Sequence, residues 1–239
     1  MRVTVNPQYE YLRDWVMNIP ELFSTSGEVL YHARNEVRRI VCPTGLALCV
    51  KRYHKPILPN QIIYSLFRLP KAKRAYRNAF MLTEHNIPTP EPVAFLIESH
   101  SGLITTSYLI TVFCPYKRNF YEFRHHSLRG SEHIVRALAH LAADMHRQGI
   151  VHKDFSPGNI LFDATDDKVR LTIVDINRMT FSRTPVSIRE GCRNFARLWG
   201  KDDFFTVLAG EYARARGFDE EECIRLTLEY THRYWHGRK

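Results

Sequence analysis

At 239 residues the chain is long enough for one large domain or two small lobes sharing a cleft, and it can bury a core without staples. With 44% hydrophobic and 25% charged residues it excludes a disordered, collagenous or low-complexity protein. Thirty-four Lys and Arg against 25 Asp and Glu leave a net charge of +9, which suits anionic partners such as nucleotides, phosphorylated sugars, acidic lipid or nucleic acid. The five cysteines, Cys42, Cys49, Cys114, Cys192 and Cys223, form no C-x-x-C pair and read as reduced thiols of a cytoplasmic protein rather than a disulfide frame or zinc site. Met1–Glu10 lacks an apolar leader core, and no later stretch approaches the ~18 consecutive apolar residues of a membrane span. The expected location is cytoplasmic, with basic residues available for peripheral contact with the inner face of an anionic membrane.

The first half reads mainly as strands: Gly27–Tyr31, Val37–Val41 and, after the turn at Cys42-Pro43-Thr44-Gly45, Leu46–Tyr53, an antiparallel meander. A loop with Pro56, Pro59 and Asn60 leads to a helix over 71–84, with Ala72, Ala75, Ala79 and Leu82 on one face and Lys73, Arg74 and Arg77 on the others. Pro88 and Pro90 stop it. Pro92–Ile97 and Thr106–Phe113 read as two more strands, the second running into Cys114-Pro115-Tyr116, a connection between lobes. The expected division is residues 1–113 as an N-lobe with a five-stranded sheet and one main helix, 114–119 as a hinge, and 120–239 as a C-lobe. The second half opens with a helix over Ser131–Gln148, carrying the stripe Ile134, Leu138, Leu141 and Met145, with Ser131 as N-cap and Gly149 as stop. Two short strands follow, Ile160–Phe162 and Val169–Val174, separated by the turn residues Asp166-Asp167-Lys168.

Between that helix and the first of those strands lies His152-Lys153-Asp154-Phe155-Ser156-Pro157-Gly158-Asn159, of the form H-x-D-x-x-x-x-N. In such a loop the Asp can orient an attacking hydroxyl and accept its proton, and the Asn can ligate a metal bound to ATP phosphates. Sixteen residues after Asn159, the apolar Ile173-Val174 delivers Asp175-Ile176-Asn177, so Asp175 could face Asn159 across one Mg²⁺.

Here the chain resembles the protein-kinase-like superfamily and, within it, the bacterial lipopolysaccharide kinase family, which includes the Kdo and heptose kinases of the lipopolysaccharide core. The resemblance runs from the strands near Gly27 to the helix near Leu198. It includes Leu46-Ala-Leu-Cys-Val-Lys-Arg-Tyr53, Lys71-Ala-Lys-Arg-Ala-Tyr76 and Ile87-Pro-Thr-Pro-Glu-Pro92. It implies an α+β, two-lobed protein-kinase-like fold, with a small antiparallel-sheet N-lobe, a mainly helical C-lobe and ATP between them. It also implies Asp154 as the catalytic residue, Asn159 and Asp175 as Mg²⁺ ligands, and Lys51, on the third strand, as the partner of the ATP phosphates, with Arg52 and Lys55 as neighbours that could be confused with it. The implied reaction is ATP-dependent phosphorylation of a sugar hydroxyl in lipopolysaccharide core or a related glycolipid. A kinase of another small hydroxyl substrate or of protein, and a nucleotide-binding pseudokinase, are the alternatives.

The chain departs from the kinase pattern in four places. The first hairpin carries only Gly27, with no G-x-G-x-x-G, so turn amides near Ala33–Glu36, with Arg34 or Arg38, would have to cover the phosphates. The slot for the glutamate that pairs with the strand lysine holds Arg77 or Asn78, while Glu84 lies later on the helix and Glu28 or Glu36 could substitute. Asn177 replaces the glycine of the metal-binding D-F-G, where a left-handed backbone is common. With 64 residues after Asp175 and no A-P-E, a small hydroxyl acceptor is preferred over protein. Lys117, Arg118 and Arg124 are a candidate cluster for an anionic sugar or glycolipid acceptor, or for an anionic membrane surface. His125-His126 has no metal-ligand spacing, His152 is expected to brace the loop rather than act as base, and no motif points to nucleic acid.

Overall fold

Alternating apolar and polar residues in the first half and helical spacing in the second produce an α+β chain. The computed structural model describes residues 1–33, 35–54, 69–101, 103–125, 128–165 and 168–236. Arg34, Lys55, the loop residues Pro56, Pro59 and Asn60, His126, and the turn residues Asp166 and Asp167 lie outside the described residues. Two compact units are present: Met1–Leu82 with Pro90–Pro115, and Thr83–Thr89 with Tyr116–Lys239.

The first unit is built on a six-stranded antiparallel sheet of order β1-β5-β6-β4-β3-β2, where β1 is Arg2–Val5, β2 Glu28–His32, β3 Asn35–Val41, β4 Ala47–Tyr53, β5 Pro92–His100 and β6 Leu103–Val112. The sixth strand is β1, against an expectation of five. Four residues are too few to show a period, and its partner β5 lies far off in sequence, with Val5 opposite Ala94. Two short helices, α1 (Arg13–Met17) and α2 (Ile19–Thr25), then cover one sheet face, burying Val16, Ile19 and Phe23 with Leu48, Val50, Ala94, Leu96, Tyr108 and Ile110. On the opposite face helix α3 (Lys71–Glu84) buries Ala72, Ala75, Tyr76, Ala79 and Leu82, and the Tyr76 ring meets Phe95 with centroids 5.1 Å apart.

Side chains alternate along β4, so Lys51, opposite Val37 on β3 and Leu109 on β6, shares the Phe95 face that α3 covers. Arg52 points the other way, toward Phe23.

In the second unit, helix α4 (Glu132–Arg147) buries the expected stripe, Ile134, Leu138, Leu141 and Met145. Ser131 precedes it with φ −120° and ψ 8°, and its hydroxyl accepts no capping N–H, because a capping side chain needs an extended backbone at that residue. Helices α5 (Ile188–Asn194), α6 (Asp202–Arg216) and α7 (Glu220–His236) complete the unit. Its strands are short: β7 (Arg118–Asn119), β9 (Ile160–Ala164) and β10 (Val169–Ile173) form one sheet, and β8 (Ile150–His152) pairs with β11 (Met179–Phe181).

Gly149 turns the chain from α4 into β8 with φ +72°. A β-carbon there would lie 2.3 Å from the Ser182 carbonyl oxygen and 2.7 Å from that of Thr184, both backbone atoms that cannot swing aside. Gly149→Ala is therefore expected to destabilise the protein by about 1–3 kcal/mol, read as a lowered urea midpoint.

Candidate active site

The site is organised around an imidazole. His152 ends β8 fully buried, and a buried ring needs both nitrogens satisfied. Its Nδ1 accepts the Asp154 backbone N–H at 3.0 Å, and its Nε2–H donates to the Val174 carbonyl at 3.1 Å. These partners allow one tautomer, neutral with the proton on Nε2. Burial likewise pushes the ring's pKa down, against the nearby Val174 carbonyl and the carboxylates of Asp175 and Asp154. The ring thus fastens the loop after β8 to the end of β10 and leaves no nitrogen for proton transfer, the bracing role expected of it.

The loop then folds on itself. Ser156 N–H and Asn159 Nδ2–H both donate to the Asp154 backbone carbonyl, at 2.8 and 2.9 Å. Since a carbonyl can only accept, the Asn159 amide nitrogen must face it, which turns Oδ1 away and leaves it able to ligate a cation. Val174 N–H donates to the Asn159 carbonyl at 2.9 Å, so Asp175 immediately follows a residue bonded to Asn159. The register of β9 with β10, Ile160 opposite Ile173, enforces this.

Asp175 adopts φ 54° and ψ 42°, so the left-handed position expected at Asn177 falls two residues earlier. Asn177 is buried, and its Nδ2–H donates to Asp175 Oδ1 at 2.5 Å, fixing the carboxylate by its own side chain. Asp tolerates the left-handed region better than most residues. Among the described residues no group of three or more His, Cys, Asp and Glu could form a metal cage. An Asp and an Asn oxygen nevertheless suit Mg²⁺, which keeps waters and takes phosphate oxygens for its remaining positions.

Two residues at this site were not singled out from sequence. Arg197 Nη1 contacts Asp154 Oδ1 at 2.5 Å, and Arg178 Nη1 lies 3.8 Å from Asp154 Oδ2. Arg178 follows the D-I-N segment directly and could have been suspected by proximity. Arg197 comes from 43 residues downstream, in a stretch with no motif.

Behind the loop runs a directional chain of buried and partly buried donors. Arg216 donates to the Tyr212 hydroxyl, whose O–H donates to His146 Nδ1; His146 Nε2–H donates to Asn194 Oδ1, and Asn194 Nδ2–H donates to the His152 carbonyl. His146 is therefore neutral, with its pKa pushed down to about 4 by burial and by the nearby Arg216 charge, against the Asn194 bond.

In the first unit, Glu36 is buried and accepts from Arg38 Nε at 2.7 Å and Arg52 Nη2 at 2.6 Å, while both guanidinium groups lie over the Phe23 ring. Despite burial, these cations hold its carboxyl below the usual range. Glu36 thus serves Arg52's side of the sheet, opposite to Lys51, and Glu28 lies 3.9 Å from Arg39. Arg38, a candidate for covering phosphates, is committed to this cluster. The expected basic cluster in the second unit is partly compensated: Arg118 pairs with Glu122 at 2.9 Å over Phe162, whereas Arg124 stacks on Trp199 at 3.9 Å and Lys117 is exposed.

The family model described as lipopolysaccharide kinase (Kdo/WaaP) family matches residues 25–206. A solved structure, WaaP in complex with acyl carrier protein, matches with a TM-score of 0.64 at 18% identity, covering 98% of this chain and 100% of that one. It shares the fold. A curated relative, the eIF-2-alpha kinase GCN2 of Arabidopsis thaliana, is 35% identical over 29% of this chain, and that match spans 7% of the relative's length. Among the described residues no helix is long and apolar enough to cross a membrane.

The buried histidines make stability pH-dependent. His146 is neutral in the fold down to about pH 4 but titrates near 6.5 when exposed, so the unfolded chain binds more protons between these values. Stability should be full above about 6.5 and fall as pH is lowered through that window. In His146→Leu, urea titrations should show stability lower at pH 7 by about 1–3 kcal/mol and a shallower loss between pH 6.5 and 4.

Proposed function

Because the chain belongs to the lipopolysaccharide kinase (Kdo/WaaP) family, we propose that it transfers the γ-phosphate of ATP to a sugar hydroxyl of lipopolysaccharide core or a related glycolipid. One observation carries this reading: the Asp154 carboxylate stands on a loop pinned by His152, beside an Asn159 amide whose oxygen is turned outward. Asp154 positions the acceptor hydroxyl and takes its proton as the oxygen attacks the γ-phosphorus, and ADP leaves with the electrons of the broken P–O bond. Asn159 and Asp175 would hold Mg²⁺, which neutralises phosphate charge when bound. Lys51, on the α3 face of its sheet, would pair with the α- and β-phosphates. Positioning and charge stabilisation, rather than a covalent intermediate, account for the rate. Residues 1–113, 114–119 and 120–239 act in this reading as N-lobe, hinge and C-lobe. The acceptor is anionic and membrane-bound, which places the enzyme at the cytoplasmic face of the membrane, with Lys117 and Arg124 available for peripheral contact.

A nucleotide-binding pseudokinase is the second reading, favoured by the Asn177 bond to Asp175 Oδ1, which engages an oxygen that a metal would need. Thermal-shift titration with ATP and Mg²⁺ separates the two when combined with a turnover assay. Metal-dependent stabilisation without turnover on any acceptor supports the pseudokinase.

Asp154→Asn should reduce turnover at least about 10³-fold while ATP binding, measured by equilibrium titration, stays intact. Retained turnover would remove Asp154 from its role. Asp175→Ala should abolish the Mg²⁺-dependent part of ATP stabilisation, which reaches about 2.7 kcal/mol when the ligand is at 100 times its Kd.

A further inference from the structure

The two guanidinium groups on Asp154 are placed differently. Arg197, partly buried, makes a direct charge-assisted bond to Oδ1 and has the Tyr234 ring 5.8 Å from its guanidinium carbon. It holds one carboxylate oxygen and so aims the other, Oδ2, toward an incoming hydroxyl. Arg178 sits 3.8 Å from that second oxygen, beyond hydrogen-bond distance, and its side chain is half exposed. Among the described residues the Arg178 guanidinium has no other acidic partner and donates no hydrogen bond. A planar fork of donors thus stands unused beside the oxygen that must meet the acceptor. Around Asp154 itself one carboxylate faces two guanidinium groups, a local excess of positive charge that solvent only partly screens.

We propose that Arg178 is the residue that selects the acceptor, by binding an anionic oxygen-bearing substituent, carboxylate or phosphate, next to the hydroxyl to be phosphorylated. Arg197 is the positioning residue that keeps Asp154 aimed at that hydroxyl. The backbone is suited to this. Lys153 N–H donates to the Arg178 carbonyl at 2.8 Å, which ties the backbone of Arg178 to the residue before Asp154. The aromatic wall continues from there. Arg197 ends a 3-10 turn, the buried and extended Leu198 follows it, and the next residue, Trp199, meets Tyr121 edge-on at 5.0 Å. Tyr121 is exposed and closes on the catalytic loop at Gly158, where a β-carbon would lie 2.8 Å from its ring.

This inference rests on the kinase reading, and its test separates the two. Three acceptors are compared: a deacylated lipopolysaccharide core oligosaccharide, the same oligosaccharide with its carboxylates reduced to alcohols, and the same oligosaccharide after removal of phosphate. The wild-type enzyme should lose about 10–100-fold in acceptor kcat/KM on one of the two altered acceptors, which identifies the anion. Arg178→Ala should lose a similar factor on the intact acceptor, be indifferent to the anion's removal, and keep its KM for ATP. Arg197→Lys should lower kcat with little change in acceptor KM. If Arg178→Ala discriminates between the acceptors as the wild type does, or raises the KM for ATP instead, the assignment is wrong. If the wild type turns over none of the three, the kinase reading fails, and calorimetric binding of the intact oligosaccharide still decides the arginine's role: lost in Arg178→Ala it stands, unchanged it falls.

Discussion

The buried ring of His152 is the interaction on which the site depends. Two hydrogen bonds from one neutral imidazole join the backbone at Asp154 to the backbone at Val174, two segments separated by a complete hairpin. Neither bond is strong in isolation, but the ring sits where water cannot compete, and breaking either would leave a polar atom buried and unsatisfied. The constraint therefore holds the proposed proton acceptor and the proposed metal ligand in one frame. The Asn159 amide adds a third tie within the loop, and β9 with β10 supplies the rigid support beneath it.

That frame is anchored from behind by a chain of donors that runs from Arg216 to the His152 carbonyl through Tyr212, His146 and Asn194. Every member has a defined donor and acceptor sense, which follows from Arg having only donors and the final carbonyl being only an acceptor. Such a network rigidifies when it is complete and is costly when one member is charged or lost. Helices α4 and α5 each contribute one residue to it and α6 two, so the helical packing of the second unit is coupled to the loop after β8 through polar atoms as well as through the apolar stripe of α4.

Charge is distributed unevenly over the two units. In the first, Glu36 absorbs two arginines over an aromatic ring and makes a structural cluster on the sheet face away from Lys51. In the second, Asp154 meets two arginines, and only one is bonded to it. The same residue types thus give a satisfied cluster in one place and, in the other, a guanidinium left without a direct bond beside the carboxylate. The difference lies in exposure and in the number of acceptor oxygens available.

The H-x-D-x-x-x-x-N spacing, the helix stripes at Ala72–Leu82 and Ile134–Met145, and the central strands were legible in the chain because each is local. A period or a fixed spacing is written within some twenty residues and survives any tertiary arrangement. The edge strand Arg2–Val5 and the left-handed backbone at Asp175 rather than Asn177 were not, since each is set by a partner remote in sequence or by a side chain bonding back to its own loop. Sequence alone determined which residues are candidates for the proposed chemistry: an acid, an amide and a second acid at the ends of predictable elements. The tertiary structure alone decided what surrounds them: the tautomer of His152, the outward turn of the Asn159 oxygen, and the arrival of Arg197 on Asp154. These depend on hydrogen-bond partners brought together by packing across long stretches of chain, and no local spacing encodes such meetings.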